Sequence, residues 1–186
     1  MMMTKSAKND KAERLARKVL HEGAGLRISL DHIRFPDGRE VREHYHFDFK
    51  QPSVGAVMED SRGRVLLVKV YRYPSDSWQW ELPAGGSENG ESPLEAMQRE
   101  LLEETGYRAV HFEAWTAFYP LHGVSTHRFH LFHCRAAERV GTFEAGEVSE
   151  IRWYDAGEIA QLIKDKTICD SHSLIGLLMW LSGMRA

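Results

Sequence analysis

The sequence predicts an α+β fold, in which strands outnumber helices and the two do not alternate regularly. Three observations support this class. Short segments rich in β-branched and aromatic residues recur along the 186-residue chain, a well-capped helix lies near its middle, and two helical segments close it. A regular βαβ winding would instead place a helix after each strand.

The first predicted element is a β-hairpin. Leu26–Arg34 and Glu40–Phe49 are joined by the turn-forming residues Phe35–Gly38. Before it, Met1–Lys18 is polar and of mixed charge, which favours a frayed arm or a short helix. The hairpin is too small to bury its own apolar and aromatic residues, so we expect a homodimer formed through this unit.

Gln51-Pro52 marks a domain boundary. We expect residues 1–51 to form a small N-terminal unit and residues 52–186 to form the main domain. The predicted elements of the main domain are the strands Val54–Glu59, Val65–Tyr71, Trp78–Leu82, Val110–Phe118, Arg128–Arg135 and Glu150–Tyr154, and the helices Ser92–Thr105, Asp155–Lys164 and Ser171–Met184.

The helix over 92–105 has the clearest end signals. Ser92 is a good N-cap residue, Pro93 suits the first helical position, and Glu95 completes a capping box. Gly106 is a good residue to end the helix.

Three glutamates crowd the C-terminal turns of this helix, where the helix dipole disfavours negative charge. Glu100, Glu103 and Glu104 lie together on one arc. The adjacent arc is apolar and is expected to face a core: Leu94, Met97 and Leu101. Carboxylates with this spacing can converge on hard divalent cations such as Mg²⁺ or Mn²⁺. The alternative is an ordinary solvated acidic face.

The wider stretch GGSENGESPLEAMQRELLEETGY, residues 85–107, resembles the Nudix box. The matching positions are Gly85, Glu91, Arg99, Glu100, Leu101, Glu103, Glu104, Gly106 and Tyr107. The resemblance covers the chain from about Val54 onward. It implies an α/β/α sandwich with a mixed sheet between helices. It also implies metal-dependent hydrolysis of nucleoside diphosphates linked to another moiety.

The resemblance also implies roles for individual residues. Glu100, Glu103 and Glu104 would bind the metal, Glu103 also being catalytic, and the backbone carbonyl of Ala84 would add a ligand. Arg99 would orient the acids through an ion pair with Glu91, so both are included in the catalytic set.

A second acidic patch precedes the 150–154 strand. In the family branch that this chain resembles, a glutamate from the corresponding loop acts as a general base or a further metal ligand. Glu147 is the best positional match, with Glu144 and Glu150 behind it. A solvated loop is the alternative.

That branch, which comprises the ADP-ribose and nucleoside diphosphate sugar pyrophosphatases, is indicated by Trp80–Gly86 and Tyr71–Pro74. It implies that Arg72 contacts the phosphates or sugar of the substrate. Trp78 is a candidate for stacking on the base, and His127 for contacting phosphate or base. In this branch the N-terminal β-unit exchanges across a homodimer and helps to close the substrate site.

The chain departs from the branch in one segment. A Ser-Pro-Gly turn followed by a glutamate is typical there, but this chain has Leu121-His122-Gly123 and then Thr126-His127. The departure leaves GDP-mannose or another nucleotide sugar open beside ADP-ribose.

The bulk properties exclude several classes of partner. The net charge is −3 and the pI is about 6.4, without the basic stripe that nucleic-acid binding requires. No apolar run approaches 18 residues and no secretory signal is evident, so we expect a cytoplasmic protein with no membrane partner.

The sequence therefore predicts a Mg²⁺- or Mn²⁺-dependent enzyme that splits a nucleoside diphosphate sugar into a nucleoside monophosphate and a sugar phosphate. One alternative is a Nudix pyrophosphatase acting on dinucleoside polyphosphates or capped RNA. Another is a non-catalytic sensor that binds nucleotide sugars.

Overall fold

The computed structural model describes residues 10–143 and 146–184. The chain divides into two compact units, which are described separately. The first unit contains the chain up to Lys50 and also Leu121–His127, and the second contains Gln51–Pro120 and the chain from Arg128 onward. The segment that departs from the family branch thus belongs to the first unit.

The first unit is a three-stranded antiparallel sheet in the order β1-β2-β3. Its strands are β1 (Glu13–Glu22), β2 (Leu26–Arg34) and β3 (Glu40–Phe49). The predicted hairpin is confirmed, since β2 and β3 pair from Leu26↔Phe49 to Arg34↔Glu40. Its turn is closed by the Gly38 N–H, which donates to the Phe35 carbonyl at 2.9 Å.

Strand β1 corrects the expectation that Met1–Lys18 is a frayed arm or a short helix. The strand begins at Glu13 and pairs with β2, while residues 1–9 lie outside the described residues. Its composition favours a helix, but pairing with β2 decides the outcome. Arg17 fixes the pairing through a salt bridge of 2.6 Å to Asp31, which is buried.

The second unit is built on a seven-stranded sheet. Its strands are β4 (Ser53–Glu59), β5 (Val65–Arg72), β6 (Ser77–Glu81), β7 (Ala84–Gly86), β8 (Tyr107–Phe118), β9 (Phe129–Arg139) and β10 (Val148–Tyr154). The main order is β10-β5-β4-β9-β8, with β6 paired to β5 and β7 paired to β4. Each predicted strand is present with shifted ends, and the short strand β7 was not predicted.

The sheet is mixed, which confirms the predicted fold class. Strands β4 and β9 run parallel, from Ser53↔Phe129 to Glu59↔Arg135, and the other pairings are antiparallel. Strands β4 and β5 pair only at Glu59↔Val65 and then diverge. Beyond that point β7 pairs with β4, and β6 pairs with β5.

Helices cover both faces of this sheet, as the sandwich requires. They are α1 (Pro93–Thr105), α2 (Ala156–Lys164) and α3 (Ser171–Leu181). One core cluster combines α1 with Val54, Ala56, Met58, Leu66, Phe132 and Cys134. The other cluster combines α2 and α3 with Val57, Val65, Leu67, Leu82 and Leu131. The alternation along β4 therefore sends successive side chains to opposite layers. Within the described residues, no helix has the length and apolar character needed to cross a membrane.

Helix α1 has the predicted ends. The Ser92 side chain accepts from the Glu95 N–H at 3.3 Å, and Glu95 accepts from the Ser92 N–H at 2.8 Å. Gly106 ends the helix at φ +70°, and a Cβ there would lie 2.4 Å from the Gly141 carbonyl oxygen. Met97 and Leu101 are buried as expected, whereas Leu94 is 40% exposed because it lies in the first turn, beside the solvent-facing cap.

Candidate active site

The predicted acidic residues line two cavities of the second unit. The acidic cavity, about 400 Å³, is lined by Gly85, Gly86, Arg99, Glu100, Glu103, Glu104, Gly146, Glu147 and Val148. The aromatic cavity, about 670 Å³, is lined by residues that include Tyr71, Arg72, Tyr73, Trp78, Ala84, Phe143 and Ser149. Glu104, Gly146, Glu147 and Val148 line both cavities, so the two spaces adjoin.

Arg99 is the central cation of the acidic cavity. Its Nε and Nη2 donate to the two carboxylate oxygens of Glu91 at 2.9 and 3.0 Å. Its Nη1 donates to both Glu100 and Glu103 at 2.9 Å, and its Nη2 also donates to the Gly86 carbonyl. The bidentate pair lowers the pKa of Glu91 to about 2 and raises that of Arg99. Arg99 therefore joins the loop before the helix to the acids on the helix.

Glu104 is the most enclosed of the three helix glutamates. Burial raises its pKa to about 8, and the charges of Glu100 and Glu147 add to the shift. Its Oε2 accepts from the Ala84 backbone N–H at 2.9 Å, which favours the ionised form. Burial also raises the pKa of Glu100. Burial thus disfavours the ionised form of both carboxylates, and a cationic partner would stabilise it.

Gly85 lets the backbone of β7 pass directly against the Glu100 carboxylate. A Cβ at this position would lie 2.1 Å from the Glu100 Cδ and 2.3 Å from its oxygens. At the neighbouring Gly86, a Cβ would meet no heavy atom within 4 Å. Gly85 is therefore a steric requirement of the acid cluster rather than of the turn.

The donor set of the acidic cavity fits a hard divalent cation. Across residues 10–143 and 146–184, no three acidic, histidine or cysteine side chains already converge as a metal cage. The carboxylates do not converge because each has another partner. Arg99 donates hydrogen bonds to Glu100 and Glu103, and the Ala84 N–H donates to Glu104. Four carboxylates nevertheless line one cavity, and a cation would stabilise the ionised form of the two that burial disfavours.

Glu147 is exposed and lines both cavities. Its neighbour in the predicted acidic patch, Glu150, points instead to a salt bridge of 3.7 Å with Lys69. The third member, Glu144, lies outside the described residues. Of the two described acids, Glu147 is the one that lines the cavities.

Arg72 and Trp78 both line the aromatic cavity. The Trp78 ring is half exposed and lies 5.5 Å, centroid to centroid, from the Tyr71 ring. The Arg72 guanidinium makes a bidentate pair with Glu81, with Nε–Oε1 at 2.9 Å and Nη2–Oε2 at 2.5 Å. The backbone N–H of Ala84 donates to Glu104. That the Ala84 carbonyl is a metal ligand stays a prediction.

His127 belongs to the first unit. There its ring lies 4.4 Å from that of Phe49, and its backbone N–H donates to Ser125. Its contact with substrate stays a prediction.

Glu81 is the site residue that sequence reasoning missed. It is 4% exposed, and the sequence did carry a signal for it: an acidic residue inside the apolar segment Trp78–Leu82. A carboxylate in such a segment requires a cationic or hydrogen-bonding partner when the strand is buried.

The family model of the NUDIX domain matches residues 49–173, two thirds of the chain. The chain belongs to the Nudix family. It is 32% identical over 125 residues to the CMP-5'-(N-acetyl-N-hydroxy-3-aminopropyl)phosphonate hydrolase of Streptomyces rubellomurinus, covering 67% of this chain and 59% of that protein. It is 31% identical over 119 residues to the ADP-ribose pyrophosphatase of Bacillus subtilis, covering 63% of each. The matches thus span less than two thirds of either relative.

A crystal structure of an ADP compounds hydrolase has the same fold as this Nudix chain. The TM-score is 0.80 at 17% sequence identity, and the match covers 93% of this chain and 95% of that one. RNA pyrophosphohydrolases match the Nudix chain over only about a third of its length.

Proposed function

We propose that this Nudix enzyme hydrolyses the pyrophosphate bond of a nucleoside diphosphate sugar, of the ADP-ribose or GDP-mannose type, with Mg²⁺ or Mn²⁺. The products are a nucleoside monophosphate and a sugar phosphate. The observation that carries the proposal is the junction of the two cavities at Glu104 and Glu147. The acidic cavity, with its bound cation, suits the diphosphate of a substrate. The adjoining aromatic cavity, with a guanidinium and aromatic rings, suits the rest of the same substrate.

The acidic cavity supplies the cation site. Glu100, Glu103 and Glu104 would hold the ion, with the Ala84 carbonyl as a further ligand. A bound divalent cation neutralises the pyrophosphate and activates water for attack on phosphorus. Arg99 keeps the carboxylates grouped through its contacts with Glu91, Glu100 and Glu103.

Glu147 is the candidate general base. It is exposed, it lines both cavities, and its charge reaches Glu100 and Glu104. A carboxylate at this junction can take a proton from water as the water attacks phosphorus. Glu147 takes the proton of the water, the water oxygen bonds to phosphorus, and the bond from that phosphorus to the bridging oxygen breaks, so that oxygen leaves with the second product.

The aromatic cavity supplies substrate recognition. Its volume of about 670 Å³ lies in the range of small-molecule sites. Arg72 would bind a phosphate or the sugar, and Trp78, beside Tyr71, would stack on the base. ADP-ribose is favoured by the Bacillus subtilis relative, and the Streptomyces relative's name describes another substrate that carries a nucleotide.

The rival functions have less support. RNA or dinucleoside polyphosphate hydrolysis is indicated only by short matches, and the chain lacks a basic stripe. A non-catalytic sensor would be expected to lack some of the acids or Arg99, and all are present.

We also propose that residues 1–51 mediate homodimerisation and help to close the substrate site. Light scattering tests this, and a mass of 21.3 kDa would contradict it.

The function is tested by a substrate panel with Mg²⁺ or Mn²⁺, in which alkaline phosphatase releases phosphate from the products. ADP-ribose, GDP-mannose, UDP-glucose, diadenosine polyphosphates and capped RNA are compared. Turnover of a nucleotide sugar that disappears in Glu103→Gln and persists in the surface control Glu138→Gln supports the proposal. Turnover of none of them, or only of capped RNA, would contradict it.

A further inference from the structure

Glu81 is a buried carboxylate outside the acidic cavity. It is 4% exposed at the end of β6 and lines neither cavity. Removing a carboxylate from water costs several kcal/mol unless a partner replaces the lost hydration. Arg72 is that partner, and it donates to both carboxylate oxygens.

The strand register shows that this pair requires an unusual path for Arg72. In the β5–β6 ladder Arg72 lies opposite Ser77, whereas Glu81 lies opposite Val68. Arg72 and Glu81 are therefore on the same face but four positions apart, roughly 13 Å along the strands. The arginine side chain must run back along the sheet to reach Glu81, instead of extending into solvent from the strand end.

The pair leaves a defined set of guanidinium donors that Glu81 does not use. Arginine has five N–H donors, and the Glu81 pair uses one at Nε and one at Nη2. Within the described residues these are the hydrogen bonds that the guanidinium makes, so three donors remain. The Arg72 side chain is still 52% exposed and lines the aromatic cavity beside Ala84 and Glu104.

The residue after Glu81 is anchored independently. The Leu82 N–H donates to the Ser173 hydroxyl of α3 at 2.8 Å, and this bond is buried. Asp170 caps α3 through the His172 and Ser173 N–H groups, and its charge adds to that of Glu81 in raising the pKa of Arg72. The backbone next to Glu81 is thus held by a buried helix–strand contact, so the pair is anchored from the Glu81 side.

We propose that Glu81 is a positioning residue. It fixes the Arg72 guanidinium on the wall of the aromatic cavity, so that the three remaining N–H donors bind a phosphate group of the substrate. This inference rests on the proposed function. Glu81 itself touches neither the substrate nor the cation; it acts through the orientation of Arg72.

The test is a double-mutant cycle with Glu81→Gln, Arg72→Ala and the double variant, assayed on the nucleotide sugar that wild type hydrolyses best. Glu81→Gln should raise KM by about tenfold to a hundredfold, with kcat changed by less than about threefold. In the Arg72→Ala background, Glu81→Gln should raise KM by less than about a further twofold, because the arginine through which Glu81 acts is absent. Glu138→Gln, which removes an exposed arginine partner, is the matched control.

Arg72→Lys supplies a second readout that does not depend on folding of the Glu81 variant, since Arg72 is half exposed. Lysine keeps the charge but cannot make the two-point contact, so the KM should rise as in Arg72→Ala. Additive effects in the cycle, or a wild-type KM in Arg72→Lys, would overturn the inference. Absence of nucleotide-sugar turnover in wild type would instead overturn the proposed function.

Discussion

The two adjoining cavities are assembled in different ways. The acidic cavity takes its side chains chiefly from one stretch, residues 85–104, where a tight loop and a capped helix set their spacing. The aromatic cavity combines β5, β6 and β7 with Phe143 and residues 146–149, which are distant in sequence. A local motif therefore assembles the acidic cavity, whereas tertiary packing assembles the aromatic cavity.

Substitution of Glu147, which lines both cavities, tests their junction most directly and should have the largest effect on turnover. As a general base it should contribute to kcat, so Glu147→Gln should reduce turnover by about 10²–10⁴-fold with folding intact. Steady-state kinetics at saturating metal and nucleotide sugar measure this. Glu150→Gln, three residues further on in β10, is the control and should remain near wild type. Wild-type turnover in Glu147→Gln would remove it from the mechanism.

Gly85 tests the local assembly of the acidic cavity. The added Cβ of Gly85→Ala overlaps the Glu100 carboxylate, which must move, and a displacement of this size costs about 10²-fold in kcat/KM. Gly86→Ala is the matched control, because its Cβ meets open space. Equal activities of the two variants would show that the Glu100 position is not critical.

Trp78 tests the aromatic cavity and should act mainly on KM. Removal of a stacking ring in Trp78→Ala should raise KM about fivefold to tenfold, with kcat nearly unchanged. Trp78→Phe keeps a ring and should recover most of the affinity. The idea fails if Trp78→Ala lowers kcat and leaves KM alone.

The smallest expected effect is a pH dependence of the metal-free protein. The pKa of Glu104 is about 8 in the folded chain against an ordinary 4.5, so between these values the folded state holds a proton that the unfolded state has released. Stability contributed by this group is full below pH 4.5 and falls as the pH rises towards 8. Melting curves of the chelated protein between pH 5 and 8 should show the decline.

A matched pair of variants tests whether Glu104 causes this fall in stability. It should become clearly smaller in Glu104→Gln and persist in Glu103→Gln, which leaves Glu104 in place. Saturating Mn²⁺ should also remove it, since a cation stabilises the ionised carboxylate. An unchanged slope in Glu104→Gln would show that another group carries the titration.

The same contrast explains what the sequence could predict. The caps of α1, the β2–β3 hairpin and the grouping of the acids depend on neighbours within a few residues, and all are confirmed. Strand β1 was not predicted, because its helix-favouring composition is overridden by pairing with β2. Glu81 was missed because its partner Arg72 reaches it only along a folded strand pair.

The most direct test of the division between the cavities is a calorimetric titration of Mn²⁺ without nucleotide, on wild type, Glu103→Gln and Arg72→Lys. The account predicts that Glu103→Gln weakens Mn²⁺ binding by at least about tenfold, while Arg72→Lys binds the ion like wild type. Unchanged binding in Glu103→Gln, or equal weakening in both variants, would contradict it.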